Sequence, residues 1–299
     1  MTTMSKKADE RAPAAGRVAL ITGGAGGIGR ALVEAFVEAG ATVVAVDAHD
    51  VDSGSGSSDR LVWRRTDVSS PDEIGSLIDA VVREFGRLDI VINNAGVAHV
   101  DPLGAIDFGR WAELMAVNVT GAVACADAAA PHMMRAGWGR IINLSSVWSL
   151  VGAQTYSAYG ASKAAIRQLT KIWAAELAPY GVTVNSICPG WVKTPLLSRF
   201  VDRLAALHRQ PVENVLREVL HLVPQKRFLD PAEIAHAALF LASDMAQGIT
   251  GTDLVIDAGM SSTLPDGLFT RPVRGDVDYS KIKSEIYGEG LQSDQEASK

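Results

Sequence analysis

Short apolar runs rich in β-branched residues recur along the chain, and stretches with apolar residues at helical spacing lie between most of them. Such alternation predicts a parallel sheet with helices packed on both of its faces. The runs are almost continuously hydrophobic, as expected for strands that are covered on both faces. Seven strands are predicted, at Val18–Ile21, Thr42–Val46, Leu61–Trp63, Ile90–Ile92, Ile141–Leu144, Thr183–Ile187 and Leu254–Ile256.

Two helix starts carry clear capping signals, one from Ser70 to Glu73 and the other from Asp230 to Glu233. Each has a capping side chain, then proline at the first helical position, then glutamate at the third. These two segments therefore predict the N-termini of two helices that follow the third and the sixth strands.

Four segments depart from the regular alternation. Residues 1–14 are polar and predicted to be flexible, and residues 49–60 hold a Gly/Ser run too short for a full crossover helix. Residues 195–228 form an insertion with apolar residues at helical spacing, which predicts a helical lid. Residues 263–299 are mostly polar and are predicted to form a partly disordered C-terminal extension. The remaining residues, 15–262, are predicted to form one domain that includes the lid.

Composition bounds the partners and the location. The chain has 299 residues, of which 47% are hydrophobic, and its formal net charge is −6, so a nucleic-acid partner is not expected. The segment Met1 to Arg17 lacks a hydrophobic core, and the longest apolar runs fall short of a membrane span, which predicts no signal peptide, anchor or membrane partner. A cytoplasmic protein is expected.

The two cysteines, Cys125 and Cys188, lie in apolar or Ala-rich segments and are predicted to be buried reduced thiols. The six histidines are scattered, and no Cys/His cluster has metal-ligand spacing. A metal site is therefore not predicted.

A glycine-rich segment from Thr22 to Gly29 lies between the first predicted strand and a helix that is predicted to stop at Gly40. Glycines allow a tight turn and close approach of the backbone to a pyrophosphate, and the helix N-terminus offers free N–H groups. Asp47 ends the second strand, where a carboxylate accepts hydrogen bonds from both adenosine ribose hydroxyls and repels a 2′-phosphate. Residue 26 is glycine rather than a basic residue, so NAD is favoured over NADP.

Tyr159 and Lys163 are four residues apart in an Ala-rich stretch, so on a helix they share one face. A nearby ammonium lowers the pKa of a phenol, which is otherwise about 10. The pair is therefore a candidate acid/base at neutral pH.

Taken together, these features resemble the short-chain dehydrogenase/reductase family over about residues 15–262. Its glycine pattern is matched by Thr22, Gly23, Gly27 and Gly29, and further motifs are matched at Asp67-Val68, Asn93-Asn94-Ala95-Gly96 and Pro189-Gly190 with Thr194. The resemblance implies a doubly wound Rossmann-type α/β sheet in the order 3-2-1-4-5-6-7, and a homotetramer or dimer. It implies a catalytic tetrad of Asn118, Ser146, Tyr159 and Lys163. It implies cofactor binding by Gly23, Gly27, Ile28, Gly29, Asp47, Asp67, Val68, Asn94, Ala95, Gly96, Tyr159, Lys163, Pro189, Gly190, Val192 and Thr194.

The same resemblance implies an NAD-dependent reaction that interconverts a secondary alcohol and its ketone. Tyr159 as phenolate takes the proton of the alcohol, with its pKa lowered by Lys163 and by the nicotinamide cation. Ser146 holds the substrate oxygen, and Asn118 orders a water that links Lys163 to solvent. Ser145 and Ser162 are neighbours of these residues but lack the family spacing.

Within the family, residues 189–196, 226–228 and 249–252 look closest to 3-hydroxybutyrate dehydrogenases. Where those enzymes hold the substrate carboxylate with Gln, His and Lys, this chain has Ala98, Trp148 and Tyr156. An unpaired carboxylate is costly to desolvate, so a neutral, hydrophobic secondary alcohol or ketone is expected, of cyclic, terpenoid, steroid or aryl type. The predicted apolar pocket consists of Ala98, Val147, Trp148, Tyr156, Trp191, Leu196 and Phe200.

Three alternatives stay open at this point. Two use the same scaffold and tetrad, namely a cis-dihydrodiol-type ring dehydrogenase and a 3-hydroxy acid dehydrogenase. The third is a non-catalytic NAD-binding sensor, which loss of a tetrad residue would favour; all four residues are present.

Overall fold

The computed structural model describes residues 13–49, 58–262 and 279–287. Seven parallel strands form one sheet in the order β3-β2-β1-β4-β5-β6-β7, which confirms the predicted fold class and strand order. Each predicted apolar run lies within one of these strands. The strands are β1 Val18–Thr22, β2 Thr42–Asp47, β3 Leu61–Arg65, β4 Ile90–Asn93, β5 Gly139–Leu144, β6 Val182–Pro189 and β7 Asp253–Ile256.

Helices connect most of the strands, and both predicted helix starts are confirmed. Ser70 accepts a hydrogen bond from the Glu73 backbone N–H at the start of the helix that begins at Pro71, and another helix begins at Pro231. A π-helical turn, Ala116–Thr120, joins two helices without a break. The helices are α1 Gly27–Glu38, α2 Pro71–Phe85, α3 Phe108–Met115, α4 Gly121–Ala136, α5 Ser157–Leu177, α6 Pro195–His208, α7 Val212–His221, α8 Pro231–Ala242 and α9 Tyr279–Tyr287.

The described part of the chain divides into two compact units. The first contains the sheet and comprises the described residues up to Pro189 together with Ala232–Ile256. The second comprises Gly190–Pro231 and the described residues from Asp257 onwards. The predicted lid, 195–228, falls in the second unit as α6 and α7. Of the predicted C-terminal extension, only α9 is described. Residues 1–12 of the predicted flexible N-terminus and residues 50–57 of the Gly/Ser segment lie outside the described residues.

The core of the first unit forms where alternate strand residues meet three helices. Val44, Val91 and Val184 point to the same face of the sheet and pack with buried residues of α2, α4 and α5. Burial of each such side chain stabilises the fold by about 1.5–3 kcal/mol. The buried contacts from α4 include Ala129 and Met133, and small residues let this helix lie close to the sheet.

By length and composition alone, the described helical stretch Phe108–Ala136 is apolar enough to cross a membrane. The stretch consists of α3, the π turn and α4. Its buried residues Leu114, Cys125, Ala129 and Met133 are enclosed by protein, as in the core helix of a folded domain.

In the second unit, α6 and α7 pack against each other around Val201, Leu216 and Phe228, which are almost fully buried. The helix α9 adds Ile282 and Ile286 to this cluster. Two ion pairs, Lys193–Glu285 and Lys283–Glu213, also connect α9 to the rest of this unit.

Asp89 fastens the amino ends of β1 and β4 in the first unit. Its carboxylate accepts the Val18 N–H at 2.8 Å and two hydrogen bonds from Arg87 at 2.7 and 2.6 Å, and Arg17 lies 3.5 Å away. The side chain is only 5% exposed, so these donors replace water around a nearly buried charge. Because such a charge depends on its partners, the structure is sensitive to its removal.

We predict that Asp89→Asn lowers the free energy of unfolding by about 2 kcal/mol, because hydrogen bonds to a charged acceptor are lost. The matched control is Glu84→Gln, which removes the ion pair between Arg64 and Glu84, whose side chains are 39% and 45% exposed. This control should change stability by less than about 0.5 kcal/mol. Urea denaturation followed by circular dichroism measures both, and equal effects of the two variants would contradict the prediction.

Candidate active site

The turn after β1 is packed too closely for side chains at two of its glycines. A Cβ on Gly23, whose φ is +65°, would lie 2.8 Å from the Ala95 Cα, and one on Gly29 would lie 1.9 Å from the Gly23 oxygen. Gly26 precedes α1 as its capping residue and has no side chain to occupy the free N–H groups of the first turn. Gly27, Ile28 and the turn thus leave an open cradle of backbone donors that suits a phosphate.

Asn94 joins this turn to the loop after β4. Its Nδ2 donates to the carbonyls of Thr22 and Gly23 at 2.9 and 3.0 Å. In return, the Thr22 hydroxyl accepts the N–H groups of Asn94 and Ala95 at 3.1 and 3.0 Å. Thr22 thus has a positioning role that the glycine pattern alone did not reveal.

Asp47 lies beside the cradle, at the end of β2. Its carboxylate accepts the N–H groups of Ala25 at 3.2 Å and His49 at 3.3 Å, so its oxygens are held against the glycine-rich turn. Further along the same edge, Asp67 accepts the N–H and the hydroxyl of Ser69, and these hydrogen bonds lower the pKa of its carboxyl group. Val68, next to it, is buried.

Three tetrad residues meet where β5 ends against α5. Ser146 precedes a 3₁₀ turn, Val147–Ser149, and its Oγ accepts the Trp148 N–H at 3.2 Å. Its hydroxyl also forms a hydrogen bond with Tyr159. Lys163 lies one helical turn beyond Tyr159, with its Nζ 5.7 Å from the centroid of the phenol ring.

Lys163 is a buried cation whose ammonium donates to a backbone carbonyl. Its side chain extends to the end of β5, where Nζ donates to the Leu144 carbonyl at 2.8 Å. Burial lowers the pKa of this ammonium from 10.5 to about 8. Gly96 makes room for it, since a Cβ there would lie 3.3 Å from the Nζ and 3.4 Å from the Asn118 Oδ1.

The pKa of Tyr159 differs from the expectation that Lys163 would lower it. Burial raises the pKa of this phenol, and the hydrogen bond with Ser146 lowers it by less. The physical reason is that protein surrounds the hydroxyl, which disfavours the phenolate, while the ammonium of Lys163 is directed to the Leu144 carbonyl. The hydrogen bond with Ser146 therefore favours ionisation of Tyr159.

Asn118 lies in the π-helical turn and is almost fully buried. Its side chain accepts the Val97 N–H at 2.8 Å and donates to the Val97 carbonyl at 2.9 Å and to the Ser162 Oγ at 3.1 Å. Ser162 in turn donates to the Tyr159 carbonyl at 2.8 Å. The amide thus connects the loop after β4 to the helix that carries Tyr159 and Lys163.

Ser145 and Ser162 therefore have positioning roles, although their spacing had suggested none. The Ser145 Oγ donates to the Lys163 carbonyl at 2.9 Å, and the Ser162 Oγ accepts a hydrogen bond from the Asn118 Nδ2. Each is adjacent in sequence to a tetrad residue, and that adjacency was the available signal. Its meaning depends on which way the side chain points, which the sequence does not specify.

The predicted pocket residues fall in both units. In the first, Trp148 stacks with Tyr156 at 6.3 Å between ring centroids, and Tyr156 meets Tyr159 edge-on at 6.2 Å. Ala98 is partly exposed there, whereas Val147 is buried. In the second, Trp191 stacks with Phe200 at 4.7 Å, and Leu196 is exposed.

The predicted nicotinamide loop also spans the two units. Pro189 ends β6 in the first unit. In the second, a Cβ on Gly190 would lie 2.9 Å from the Asp257 Cα, and Thr194 caps α6 by accepting the Leu197 N–H at 3.4 Å. Val192 is buried and pairs with Leu229 through a backbone bridge.

This chain is similar to known proteins in sequence and in fold. The family model described as enoyl-(acyl carrier protein) reductase matches residues 23–261. A D-beta-hydroxybutyrate dehydrogenase of Cupriavidus necator is 37% identical over 82% of this chain and 97% of its own length. A cis-4-hydroxycyclohexanecarboxylate dehydrogenase of Sinomonas cyclohexanicum is 36% identical over 82% of this chain and 97% of its own length. The ligand-free aldohexose dehydrogenase of Thermoplasma acidophilum superposes with a TM-score of 0.77 at 33% identity, covering 86% of this chain and 98% of that one.

The lowered pKa of Lys163 predicts a stability cost that depends on pH. Below pH 8 the folded state carries the full penalty of a buried ammonium, about 3 kcal/mol, and the penalty disappears as pH rises from the folded pKa of about 8 to the unfolded value of 10.5. Lys163→Met removes the ammonium and also one hydrogen bond worth about 1 kcal/mol, so it should stabilise the protein by about 2 kcal/mol at pH 7.

Urea denaturation at pH 7 and at pH 10 measures this difference, and the advantage of Lys163→Met should be lost at the higher pH. Lys171→Met is the control, because its side chain lies on the same helix but is 47% exposed. The control should not stabilise the protein at either pH. A Lys163→Met variant less stable than the wild type at pH 7 would show that the buried charge carries no such penalty.

Proposed function

The chain belongs to the short-chain dehydrogenase/reductase family of oxidoreductases, and from that premise we propose that it interconverts a hydrophobic secondary alcohol and its ketone with NAD as cofactor. The alcohol is cyclic, terpenoid, steroid or aryl. The observation that carries this proposal is the aromatic pair Trp148 and Tyr156, which lies directly against the catalytic Tyr159. Both aromatic residues stand where the family resemblance places polar carboxylate-binding groups.

The residues at the strand ends fit a dinucleotide. The cradle at Gly23 and Gly29 has no room for a Cβ, so the backbone itself faces the ligand. Asp47, whose carboxylate accepts a hydrogen bond from the Ala25 N–H, would also accept hydrogen bonds from the two adenosine ribose hydroxyls. Its negative charge would repel the 2′-phosphate of NADP. The other residues proposed to hold the cofactor are Gly27, Ile28, Asp67, Val68, Asn94, Ala95, Gly96, Tyr159, Lys163, Pro189, Gly190, Val192 and Thr194.

In the proposed mechanism the protein moves one proton and orients one oxygen. Tyr159 as phenolate accepts the proton of the substrate hydroxyl, and Ser146, already hydrogen-bonded to Tyr159, holds the substrate oxygen beside it. Lys163 supplies a positive charge one helical turn away, and Asn118 orders a water through which the proton reaches solvent. NAD, when bound, supplies the hydride acceptor and a positive charge. Ketone reduction is the reverse.

The charge pattern of the loop after β4 supports a neutral substrate. Two side chains on that side that could bind a carboxylate, His99 and Arg110, already contact Asp101 at 3.1 Å each. The Asp101 backbone in turn pairs with that of Thr155, next to Tyr156. A substrate carboxylate there would meet an acid whose neighbouring donors are already engaged, which is unfavourable.

The names of the relatives cover both a ring alcohol and a linear hydroxy acid, so a second candidate stays open. The Sinomonas relative is named for hydroxycyclohexanecarboxylate, a cyclic secondary alcohol that also carries a carboxylate, and the Cupriavidus relative for hydroxybutyrate. A 3-hydroxy acid dehydrogenase is therefore the second candidate, supported by sequence identity but opposed by Ala98, Trp148 and Tyr156. A cis-dihydrodiol-type dehydrogenase would use the same residues on another ring. A sensor without turnover is the remote alternative.

The proposal extends to assembly and location. A homotetramer or dimer in the cytoplasm, without a nucleic-acid or membrane partner, is supported by the family membership and by the formal net charge of −6. Size-exclusion chromatography with light scattering measures the oligomeric state.

We expect turnover of cyclic and aryl secondary alcohols with NAD and little or none of 3-hydroxybutyrate, because Arg110 is engaged by Asp101 and aromatic rings stand at positions 148 and 156. NADH absorbance with a panel of cyclohexanols, terpenols, sterols, aryl carbinols and 3-hydroxybutyrate measures this. The triple variant Ala98→Gln, Trp148→His and Tyr156→Lys is the matched test, since it restores the three polar groups and should raise kcat/KM for 3-hydroxybutyrate by about tenfold or more. Comparable wild-type activity on 3-hydroxybutyrate would refute the neutral pocket.

The role of Asp47 is tested separately. Asp47→Asn keeps an oxygen for the Ala25 N–H but removes the charge, so the preference for NAD over NADP should fall by about tenfold. Glu34→Gln makes the same charge change on the exposed side of α1 and should leave the preference unchanged. The ratio of kcat/KM values for the two cofactors is the readout, and an unchanged ratio in Asp47→Asn would overturn this assignment.

A further inference from the structure

Arg167 lies one helical turn beyond Lys163, so Tyr159, Lys163 and Arg167 share one face of α5 at four-residue spacing. Its guanidinium makes two directed contacts in the first unit. One Nη donates to the Ser149 carbonyl at 2.7 Å, and the other donates to the Asp253 carboxylate at 2.9 Å. A single side chain therefore connects the catalytic helix, the turn after β5 and the strand β7.

Asp253 is built to hold this guanidinium. Its side chain is 11% exposed, and the carboxylate accepts the Ser186 hydroxyl on its other oxygen, while Lys171 lies 3.1 Å from the oxygen that Arg167 contacts. Burial raises the pKa of this acid, but hydrogen bonds from Arg167, Ser186 and Lys171 outweigh burial and hold the pKa below its ordinary value. The acceptor is therefore charged at neutral pH, and a charged acceptor makes the stronger hydrogen bond.

The other end of the contact reaches the catalytic serine. Ser149, whose carbonyl Arg167 holds, donates its hydroxyl to the Ser146 carbonyl. Ser145, on the other side of Ser146, donates to the Lys163 carbonyl and lies 3.1 Å from the Ser149 Oγ. Ser145 and Ser149, which flank Ser146 in sequence, are thus both hydrogen-bonded to α5, the helix that carries Tyr159.

We propose that Arg167, oriented by Asp253, is a positioning residue that holds the Ser146 turn against α5 so that the Ser146 hydroxyl stays in hydrogen-bonding contact with Tyr159. This inference rests on the proposed function, because it assigns Arg167 to the same active site. Arg167 touches neither substrate nor cofactor in this role. Its effect is geometric: small displacements of a reacting group cost large factors in rate.

The planar fork of arginine suits this task. Its two Nη groups are fixed relative to each other, so the angle between the Ser149 carbonyl and the Asp253 carboxylate is set by one rigid group. Lys171 contacts the same carboxylate but, as a point charge 47% exposed to solvent, specifies no such angle. The two cations therefore form a matched pair that separates positioning from charge pairing.

The first test compares Arg167→Met with Lys171→Met on the best alcohol found for the wild type. Arg167→Met should lower kcat by about 10- to 100-fold while the Kd for NAD stays within about twofold, because the cradle at Gly23–Gly29 is untouched. Lys171→Met should keep kcat near the wild-type value. Equal kcat in the wild type and in folded Arg167→Met would overturn the proposal, and so would equal losses in both variants.

The pH profile gives a readout that a merely structural anchor would not move. The Ser146 hydrogen bond lowers the pKa of Tyr159, so loosening the turn should shift the acidic limb of the kcat profile for alcohol oxidation to higher pH. The melting temperature of each variant is measured together with its pH profile. A lower melting temperature with an unshifted profile and unchanged kcat would show that Arg167 only anchors the fold.

A double-mutant cycle tests the part of Asp253. If Asp253 acts by orienting Arg167, Asp253→Asn should lower kcat less than Arg167→Met, and the double variant should be no worse than Arg167→Met alone. Additive losses in kcat would show that the two residues act separately and would overturn the coupling.

A measurement without substrate separates this inference from the proposed function. The ionisation of Tyr159 is followed by phenolate absorbance as the difference between each protein and its Tyr159→Phe derivative. The titration should move to higher pH in Arg167→Met and remain in place in Lys171→Met. If no alcohol is turned over but this shift appears, the proposed substrate class fails and the positioning role stands; an unshifted titration overturns the positioning role itself.

Discussion

The contact between the turn after β1 and the loop after β4 is the constraint on which the rest of the site depends. Four hydrogen bonds cross these two segments, from Asn94 to Thr22 and Gly23 and from Ala95 to Thr22. From the second segment, Val97 binds Asn118, and Asn118 binds Ser162 on the catalytic helix. Hydrogen bonds, joined by the backbone from Asn94 to Val97, therefore connect the cradle to the helix that carries Tyr159 and Lys163.

Burial sets the electrostatic problem that this framework must solve. The same protein environment lowers the pKa of Lys163 and raises the pKa of Tyr159, so it opposes the charged form of both groups. The proposed chemistry needs those charged forms. The hydroxyl of Ser146 favours the phenolate. The ionisation of Tyr159 therefore depends on where the Ser146 hydroxyl is placed.

The sequence predicted the seven strands and their order, because strand runs and the glycine turn are local patterns with one structural meaning, and the Tyr159–Lys163 spacing places both residues on one face of a helix. It did not predict the π turn at Asn118 or the roles of Ser145 and Ser162, since those depend on which distant backbone group each side chain meets. The predicted direction of the Tyr159 pKa shift was wrong for the same reason. The sequence shows that Lys163 is close to Tyr159, but it does not show that the hydroxyl is buried or that the ammonium donates to the Leu144 carbonyl.

Under the proposed function, catalysis and specificity both depend on the turn Val147–Ser149, but they use different parts of it. Trp148 contacts Ser146 through its backbone N–H, a donor that every residue except proline has, while its indole ring stacks on Tyr156. The side chain at position 148 can therefore change without removing the hydrogen bond that orients Ser146. Under the proposed function, the indole ring therefore bears on the choice of substrate, whereas the backbone N–H bears on the orientation of Ser146, and one can be altered by substitution without the other.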